Sequence, residues 1–132
     1  TDAGATALAQ SPHLTHLAKL DLRDNAIGPA GVVALTRSPW LKHLTELDLS
    51  DNPLGDEGAQ ALARSPALAN LTALHLKDAQ IRASGTTALA HSPHLKRLIT
   101  LTLYNNPLSV EGVTALASSP YLSEAIRAQW RR

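Results

Sequence analysis

The stretch LTELDLSDN, residues 44–52, decides the fold because it joins a strand pattern to the helix pattern that follows it. Leu47 and Leu49 alternate with polar residues, which is the two-residue period of a strand that buries one face. Directly downstream, DEGAQALARS (56–65) is rich in Ala and Leu and has acidic residues in its first turn, which favours the start of a helix. The sequence therefore predicts a short strand followed by a helix.

This strand–helix unit recurs with a spacing of 27 residues and without insertions. The recurrent leucine falls at Leu14, Leu41, Leu68, Leu95 and Leu122, and the recurrent glycine at Gly4, Gly31, Gly58, Gly85 and Gly112. Helices are predicted over 2–10, 29–37, 56–64, 83–91 and 110–118. A Ser-Pro pair follows each of them, and proline ends a helix because it has no N–H to donate. A repeat of this length is typical of a solenoid.

The motif LxxLxLxxN occurs in LAKLDLRDN (17–25), LTELDLSDN (44–52) and LITLTLYNN (98–106). It resembles the leucine-rich repeat family, and the helix-bearing 27-residue unit is similar to the ribonuclease-inhibitor-like subtype. The ALAxSPxL ending is similar to bacterial members. The resemblance implies an α/β solenoid, a right-handed horseshoe arc with parallel strands on the concave face and helices on the convex face. It also implies binding far more than catalysis, without indicating the partner. We expect another protein as the partner, and neither catalysis nor a cofactor.

The repeat predicts one domain over 1–132, with a partial first coil (1–13) and a C-terminal cap (122–132). Four full coils lie between them, over 14–40, 41–67, 68–94 and 95–121. In the cap, the spacing of Leu122, Ile126 and Trp130 places them on one face of a helix, and Trp130 is expected to cover the end of the core. The first helix belongs to a coil whose strand would lie upstream, so the chain is expected to be a piece of a longer protein.

The composition excludes several classes of protein. Twelve basic and 11 acidic residues leave a net charge of +1, which argues against a nucleic-acid or membrane-surface partner. The chain has no cysteine, so it has no disulfide framework, and a cytoplasmic location is expected. No apolar run approaches the length of a membrane span.

Positions that differ between coils are expected to form the concave surface, in three rows that cross the strands. The rows are Lys19, Glu46, Ala73, Thr100; then Asp21, Asp48, His75, Thr102; then Arg23, Ser50, Lys77, Tyr104. Neighbouring strands lie about 4.8 Å apart, so members of a row touch. The candidate partner-binding residues are Lys19, Asp21, Arg23, Glu46, Asp48, His75, Lys77, Thr102 and Tyr104.

Two other functions stay open from the sequence. Asp21, Asp48 and His75 in one row could serve a metal-dependent enzyme, but ordinary polar surface is favoured because metal ligands must converge on one point. The chain could also be an architectural segment of a longer array. Trp40 and Tyr121 are rival anchors for a partner, since their variable column is expected to be exposed.

The stretch LHLKDAQI (74–81) departs from its three counterparts at two positions. Ala79 replaces the asparagine that is expected to bond the loop backbone, so its groups are left to water or to Gln80. His75 lies at the centre of the exposed face and is interpreted as part of the binding surface.

The strand that contains Leu20 and Leu22 is predicted to have an unpaired edge on its N-terminal side, which is open to pairing with a second strand. Two-fold pairing there would bring Lys19 and Arg23 against their own copies. We therefore expect a monomer, or weak self-association through this edge.

Overall fold

The computed structural model describes residues 1–131, and Arg132, the last residue of the predicted cap, lies outside them. The strands are β1 (Lys19–Asp21), β2 (Glu46–Asp48), β3 (Ala73–His75) and β4 (Thr100–Thr102). The helices are α1 (Asp2–Ala9), α2 (Pro29–Thr36), α3 (Gly55–Ala63), α4 (Ala83–Ala90), α5 (Ser109–Ala117) and α6 (Glu124–Ala128). The first five helices lie within one or two residues of their predicted bounds. Short 3-10 helices, which the sequence did not predict, follow α2, α3 and α4 at Leu41–His43, Pro66–Leu68 and Pro93–Leu95.

The four strands form one parallel sheet in chain order, β1-β2-β3-β4. Each residue pairs with its equivalent one coil further, so that Leu20 lies beside Leu47, Leu47 beside Leu74, and Leu74 beside Leu101. The helices alternate with the strands and pack against one another along the other side. The molecule is an α/β solenoid horseshoe, as predicted.

Stacked leucines build the core. The strand leucines of the second and third coils are at most 1% exposed, and those of the fourth are at most 3% exposed. Their equivalents in the first coil, Leu14, Leu17, Leu20 and Leu22, are only half-buried. The N-terminal end of the core is therefore open on its strand side.

The predicted asparagine ladder is present at the loops that follow the strands. The Asn52 side chain donates to the carbonyls of Leu22, Leu49 and Ser50, and its Oδ1 accepts from the N–H groups of Asn25 and Ile27. Asn106 repeats this arrangement with the third coil. Each of these asparagines therefore joins its own coil to the preceding one.

The ladder lacks a rung at Ala79, but most of the groups that an asparagine there would bond have other partners. The Ala79 methyl group is fully buried, and the carbonyls that an asparagine there would meet already have donors. Asn52 donates to Leu49, Asn106 donates to Leu76, and the N–H of Asp51 donates to Lys77. The opposing loop also differs, because Leu54 N–H bonds the carbonyl of Asn52, and Gly55 N–H bonds the carbonyl of Ala79. One gap remains, because the N–H of Asn52 corresponds to those that Asn25 and Ala79 direct at an asparagine side chain, yet it has no acceptor among residues 1–131. The Gln80 side chain does not supply one.

Restoring the repeat motif with Ala79→Asn should nevertheless destabilise the protein. The larger side chain enters a fully buried site where the N–H of Asn52 is the one new partner, and overpacking costs about 1–3 kcal/mol, which exceeds the roughly 1 kcal/mol of a single hydrogen bond. Thermal melts would measure this, with Ala26→Asn as the matched control. Ala26 is exposed with a positive φ of 52°, which asparagine tolerates well, so this control should melt at or above the wild-type temperature. A higher melting temperature for Ala79→Asn would contradict the account.

Trp40 is buried, so the prediction that it is exposed is wrong. Its side chain is 2% exposed, and its indole Nε1 donates to the carbonyl of Leu8 at 3.2 Å. Tyr121 in the same column is half-buried, with the Lys96 ammonium 5.6 Å from the centre of its ring. Trp40 thus lies against the preceding coil, whereas His13 in the same column is exposed, and Ala67, His94 and Tyr121 are half-buried.

The C-terminal cap forms a helix, α6, that is shorter than the predicted segment. Leu122 and Ile126 are buried as the spacing predicted, whereas Trp130 is only half-buried. Arg127 and Arg131 both pair with Glu124, which lowers the pKa of that carboxyl, chiefly through the hydrogen bond from Arg131. No helix within residues 1–131 has the length and apolar character needed to cross a membrane.

Candidate protein-interaction surface

The structure places the first two predicted rows across the sheet as expected. Lys19, Glu46, Ala73 and Thr100 are consecutive partners in the ladder, and so are Asp21, Asp48, His75 and Thr102. The fixed spacing of the coils imposes this register, because a slip of one residue would turn the leucines away from the core. We call the nine candidate residues, which lie on and just beyond these strands, the concave surface.

Arg23 holds the acidic part of this surface together. Its Nε and Nη2 donate to the two carboxylate oxygens of Asp21 at 3.0 and 2.9 Å. Its Nε also lies 3.5 Å from the carboxylate of Asp48 on the neighbouring strand. This guanidinium therefore bridges two carboxylates of one row, which keeps them from closing around a common ligand.

His75 connects the second row to the first. Its Nδ1 lies 2.9 Å from the hydroxyl of Thr102, and its Nε2 lies 3.2 Å from Glu46 Oε1. The other oxygen of Glu46 is 3.8 Å from the ammonium of Lys19. Side chains of all four strands are thus linked in a chain that runs from Lys19 to Thr102.

The ion pair between Asp21 and Arg23 fixes the charge of both groups. Hydrogen bonds from the Arg23 side chain, and then from its backbone N–H, lower the pKa of Asp21. The same side-chain hydrogen bond raises the pKa of Arg23. Both groups are therefore charged at neutral pH, and the pair is lost only as the pH falls through the lowered pKa of Asp21. Both side chains are more than half exposed, so the pair is screened by solvent and adds little to stability.

The third predicted row differs from expectation at one position. Ser50 is buried, and its hydroxyl accepts a hydrogen bond from the N–H of Lys77 at 3.1 Å. Arg23, Lys77 and Tyr104 are exposed as predicted. Tyr104 is 71% exposed, so its ring is presented to solvent at the end of the surface away from Arg23.

Comparison with known protein families agrees with this architecture. A family model described as a leucine-rich repeat matches residues 11–35, 41–63 and 67–90, which together make up more than half of the chain. This chain belongs to the leucine-rich repeat family. A search of curated proteins found no significant match.

The fourth coil of this leucine-rich repeat protein lies outside the matched residues, yet it continues the same ladder. Leu101 pairs with Leu74 and is 3% exposed. The coil also carries a surface feature that the sequence analysis missed. Ile99 is 69% exposed, directly before β4. Thr45 and Thr72 hold the same position in the two preceding coils, so an isoleucine at a polar position was the available signal.

The concave surface of this leucine-rich repeat protein forms a shallow cavity of about 320 Å³ where β1, β2 and His75 meet. Its walls are charged and hydrogen-bonded to one another. Within the described part of the chain, no group of three or more His, Cys, Asp or Glu side chains is arranged to hold a metal ion. The arrangement is suited to recognising charged and hydrogen-bonding groups of a ligand from one side.

Proposed function

We propose that this leucine-rich repeat protein is a protein-interaction module that binds its partner through the concave surface. The observation that carries the proposal is that the exposed side chains change from charged to apolar and aromatic along the sheet. Charged groups of β1 and β2 lie at one end, and exposed Tyr104 and Ile99 lie at the other, with His75 between them. Interfaces depend on a few large or charged groups near their centre, and tyrosine and arginine are prominent among them.

The charges indicate the kind of partner. Lys19 and Arg23 face three carboxylates, those of Asp21, Glu46 and Asp48, so the charged end has an acidic excess. Asp48 is the less tightly paired of the two carboxylates that contact Arg23. The partner is expected to present a basic group towards Asp48 and Glu46, and an apolar group towards Tyr104 and Ile99.

The test needs a partner first, which affinity capture with the immobilised chain and mass spectrometry would supply. With the purified pair, calorimetry should show that Tyr104→Ala and His75→Ala together weaken binding at least about tenfold, which is 1.4 kcal/mol. Matched controls are Tyr121→Ala on the half-buried loop column and His91→Ala at the end of α4, and both should bind like wild type. If the control pair weakens binding more than the test pair, the proposed surface is wrong.

An architectural role in a longer repeat array is the second candidate. It is favoured by the half-buried Leu14, Leu17, Leu20 and Leu22, whose equivalents are covered in every later coil. Sequencing the gene upstream of the codon for Thr1 would show whether further strand–helix units precede it. A metal-dependent enzyme is not proposed, since Arg23 occupies the carboxylates on which that function would depend.

We also infer the ribonuclease-inhibitor-like subtype, because every full coil in the described residues places a helix after its strand and pairs with residues 27 positions away. A bacterial source, a cytoplasmic location, and the absence of nucleic-acid and membrane partners stay predictions. They are supported by the repeat ending, the lack of cysteine and the balanced charge.

A further inference from the structure

The outer edge of β4 has no strand beside it among the described residues. In each earlier coil, the N–H of the second strand leucine donates to a carbonyl of the next coil. These pairs are Leu22 to Asp48, Leu49 to His75, and Leu76 to Thr102. Leu103 is the next leucine in this series, and its N–H has no acceptor among residues 1–131.

Two neighbouring backbone groups on this edge are also unpaired. The N–H of Asp78 donates to the next coil, whereas the N–H of its equivalent, Asn105, has no acceptor within residues 1–131. The carbonyl of Thr72 accepts from the N–H groups of Ile99 and Thr100, whereas the equivalent carbonyl of Ile99 accepts from none in the same range. One carbonyl and two N–H groups are therefore available along β4, in the pattern that the earlier coils use for parallel pairing.

The fold of the cap, inside the chain, leaves this edge free. Residues 127–129 lie one repeat of 27 residues beyond β4 and hold the positions of a fifth strand. Arg127 and Ala128 instead belong to α6, and Gln129 ends that helix with a φ of −62° and a ψ of −24°. The helix packs on α5 and buries Ile126. The edge is thus unpaired because the residues at the strand positions form a helix.

A groove of about 640 Å³ runs along the free edge. β4 and the residues that follow it, to Asn106, line one side, and Gln129 and Trp130 from the end of the cap line the other. Thr100 and Tyr104 are exposed, so the groove is open to solvent on the concave side. A single extended segment fits between these walls, whereas the sheet of a second copy would collide with the cap residues.

The exposed side chains of β4 favour pairing. Natural sheets protect free edges with charged residues, above all lysine, because charges oppose the approach of a second strand. Thr100, Thr102 and Tyr104 are uncharged and belong to residue types that are frequent in strands. The equivalent positions of the earlier coils include the charged residues Lys19, Asp21, Arg23, Glu46, Asp48 and Lys77. β4 therefore lacks the charges that would protect its edge.

We propose that β4 binds an extended, uncharged segment of a partner protein as a parallel fifth strand. The carbonyls of the segment accept from the N–H groups of Leu103 and Asn105, and one of its N–H groups donates to the carbonyl of Ile99. In such strand addition, backbone hydrogen bonds supply the affinity and alternate side chains supply the selectivity. Side chains on the core side of the segment meet Leu108 and Trp130, so small apolar residues are favoured there.

Amide hydrogen exchange followed by NMR tests the proposal with the intact 132-residue chain. The probe is a synthetic peptide with the sequence LITLTLYNN, residues 98–106, which this solenoid itself pairs as a strand, with a lysine tail for solubility. In the free protein, the amides of Leu103 and Asn105 should exchange at least about tenfold faster than their bonded equivalents, those of Leu76 and Asp78. Saturating peptide should slow the exchange of Leu103 and Asn105 at least about tenfold.

N-methylation of the peptide separates strand pairing from apolar adsorption. Successive N–H groups of an extended segment point to opposite sides, so methyl groups on alternate residues block either the side that faces β4 or the opposite side. One of the two alternately methylated peptides should bind at least about tenfold more weakly than the parent, and the other should bind within about twofold of it. The matched charged peptide LTELDLSDN (44–52), with the same tail, should also bind at least about tenfold more weakly, because its carboxylates would lose water in the groove.

The proposal is overturned if the parent peptide shows no binding up to about 1 mM, or if both methylated peptides bind alike. Protection of Leu103 and Asn105 that rises with protein concentration in the absence of peptide would show that a second copy occupies the edge, which also contradicts the proposal. The site uses the backbone of β4, so its failure is distinct from failure of the concave surface. That surface is tested by the affinity of the captured partner for the variants Tyr104→Ala and His75→Ala.

Discussion

Trp40→Ala should lower the free energy of unfolding by about 3–5 kcal/mol, the usual cost of removing a buried tryptophan. The indole is 2% exposed and packs in the core between the first two coils, and its N–H donates to the carbonyl at the end of α1. Truncation leaves a cavity that the stacked leucines cannot fill, and it also leaves the Leu8 carbonyl without this donor. Chemical denaturation followed by the fluorescence of Trp130 would measure the loss.

Tyr104→Ala is the control for this prediction, because it removes a comparable aromatic ring that is 71% exposed. Its cost should stay below about 0.5 kcal/mol, as for most surface substitutions. A similar small loss for Trp40→Ala would show that the ring does not support the core.

The error over Trp40 shows where comparison of coils fails. Its column contains His13, Ala67, His94 and Tyr121, and the prediction of exposure depends on that variation. In the structure Trp40 lies beside the end of the preceding helix, to which its N–H donates, whereas His13 at the equivalent position is exposed. Variation between coils therefore identifies positions without a fixed size requirement, and these are not always on the surface.

The regular parts of the fold could be predicted because one spacing governs them all. Leucines with a two-residue period identify the strands. Ser-Pro pairs mark the ends of the helices, and the predicted ends agree with the observed ones to within one or two residues. The length of the cap was less predictable, because α6 has no counterpart in the other coils with which to compare it.

The positions of the candidate surface residues could be predicted from the sequence, but the contacts between their side chains could not. The spacing placed Asp21, Asp48 and His75 in one row, and the structure confirms that register. Which groups pair depends on the reach of each side chain. Arg23 folds back onto Asp21 in its own coil, whereas His75 contacts Glu46 of the adjacent row. Ser50 is short enough to lie beneath the backbone of the next coil, so its burial could not be read from its row.

Asn52→Ala should lower the free energy of unfolding by about 2–4 kcal/mol, because it leaves buried backbone groups without partners at about 1–3 kcal/mol each. The N–H of Ile27 and the carbonyl of Leu49 belong to residues that are at most 1% exposed, and Asn52 is the hydrogen-bond partner of both. The carbonyls of Leu22 and Ser50 are less affected, since the Asn25 side chain and the N–H of Asp24 also donate to them. Equilibrium unfolding in urea would give the value.

Asn25→Ala is the matched control, because this exposed asparagine begins the ladder. Its side chain bonds only carbonyls of its own coil among the described residues. Water can replace it, so the cost should stay below about 1 kcal/mol. The contrast arises from the loop opposite each residue. The loop at Asn25–Ile27 directs two N–H groups at Asn52, whereas the loop opposite Ala79 bonds the N–H of Leu54 within itself. Equal losses of unfolding free energy for the two asparagines would mean that hydrogen bonds between coils do not determine the cost of the substitution. The loop opposite Ala79 would then not explain why an alanine is accepted there.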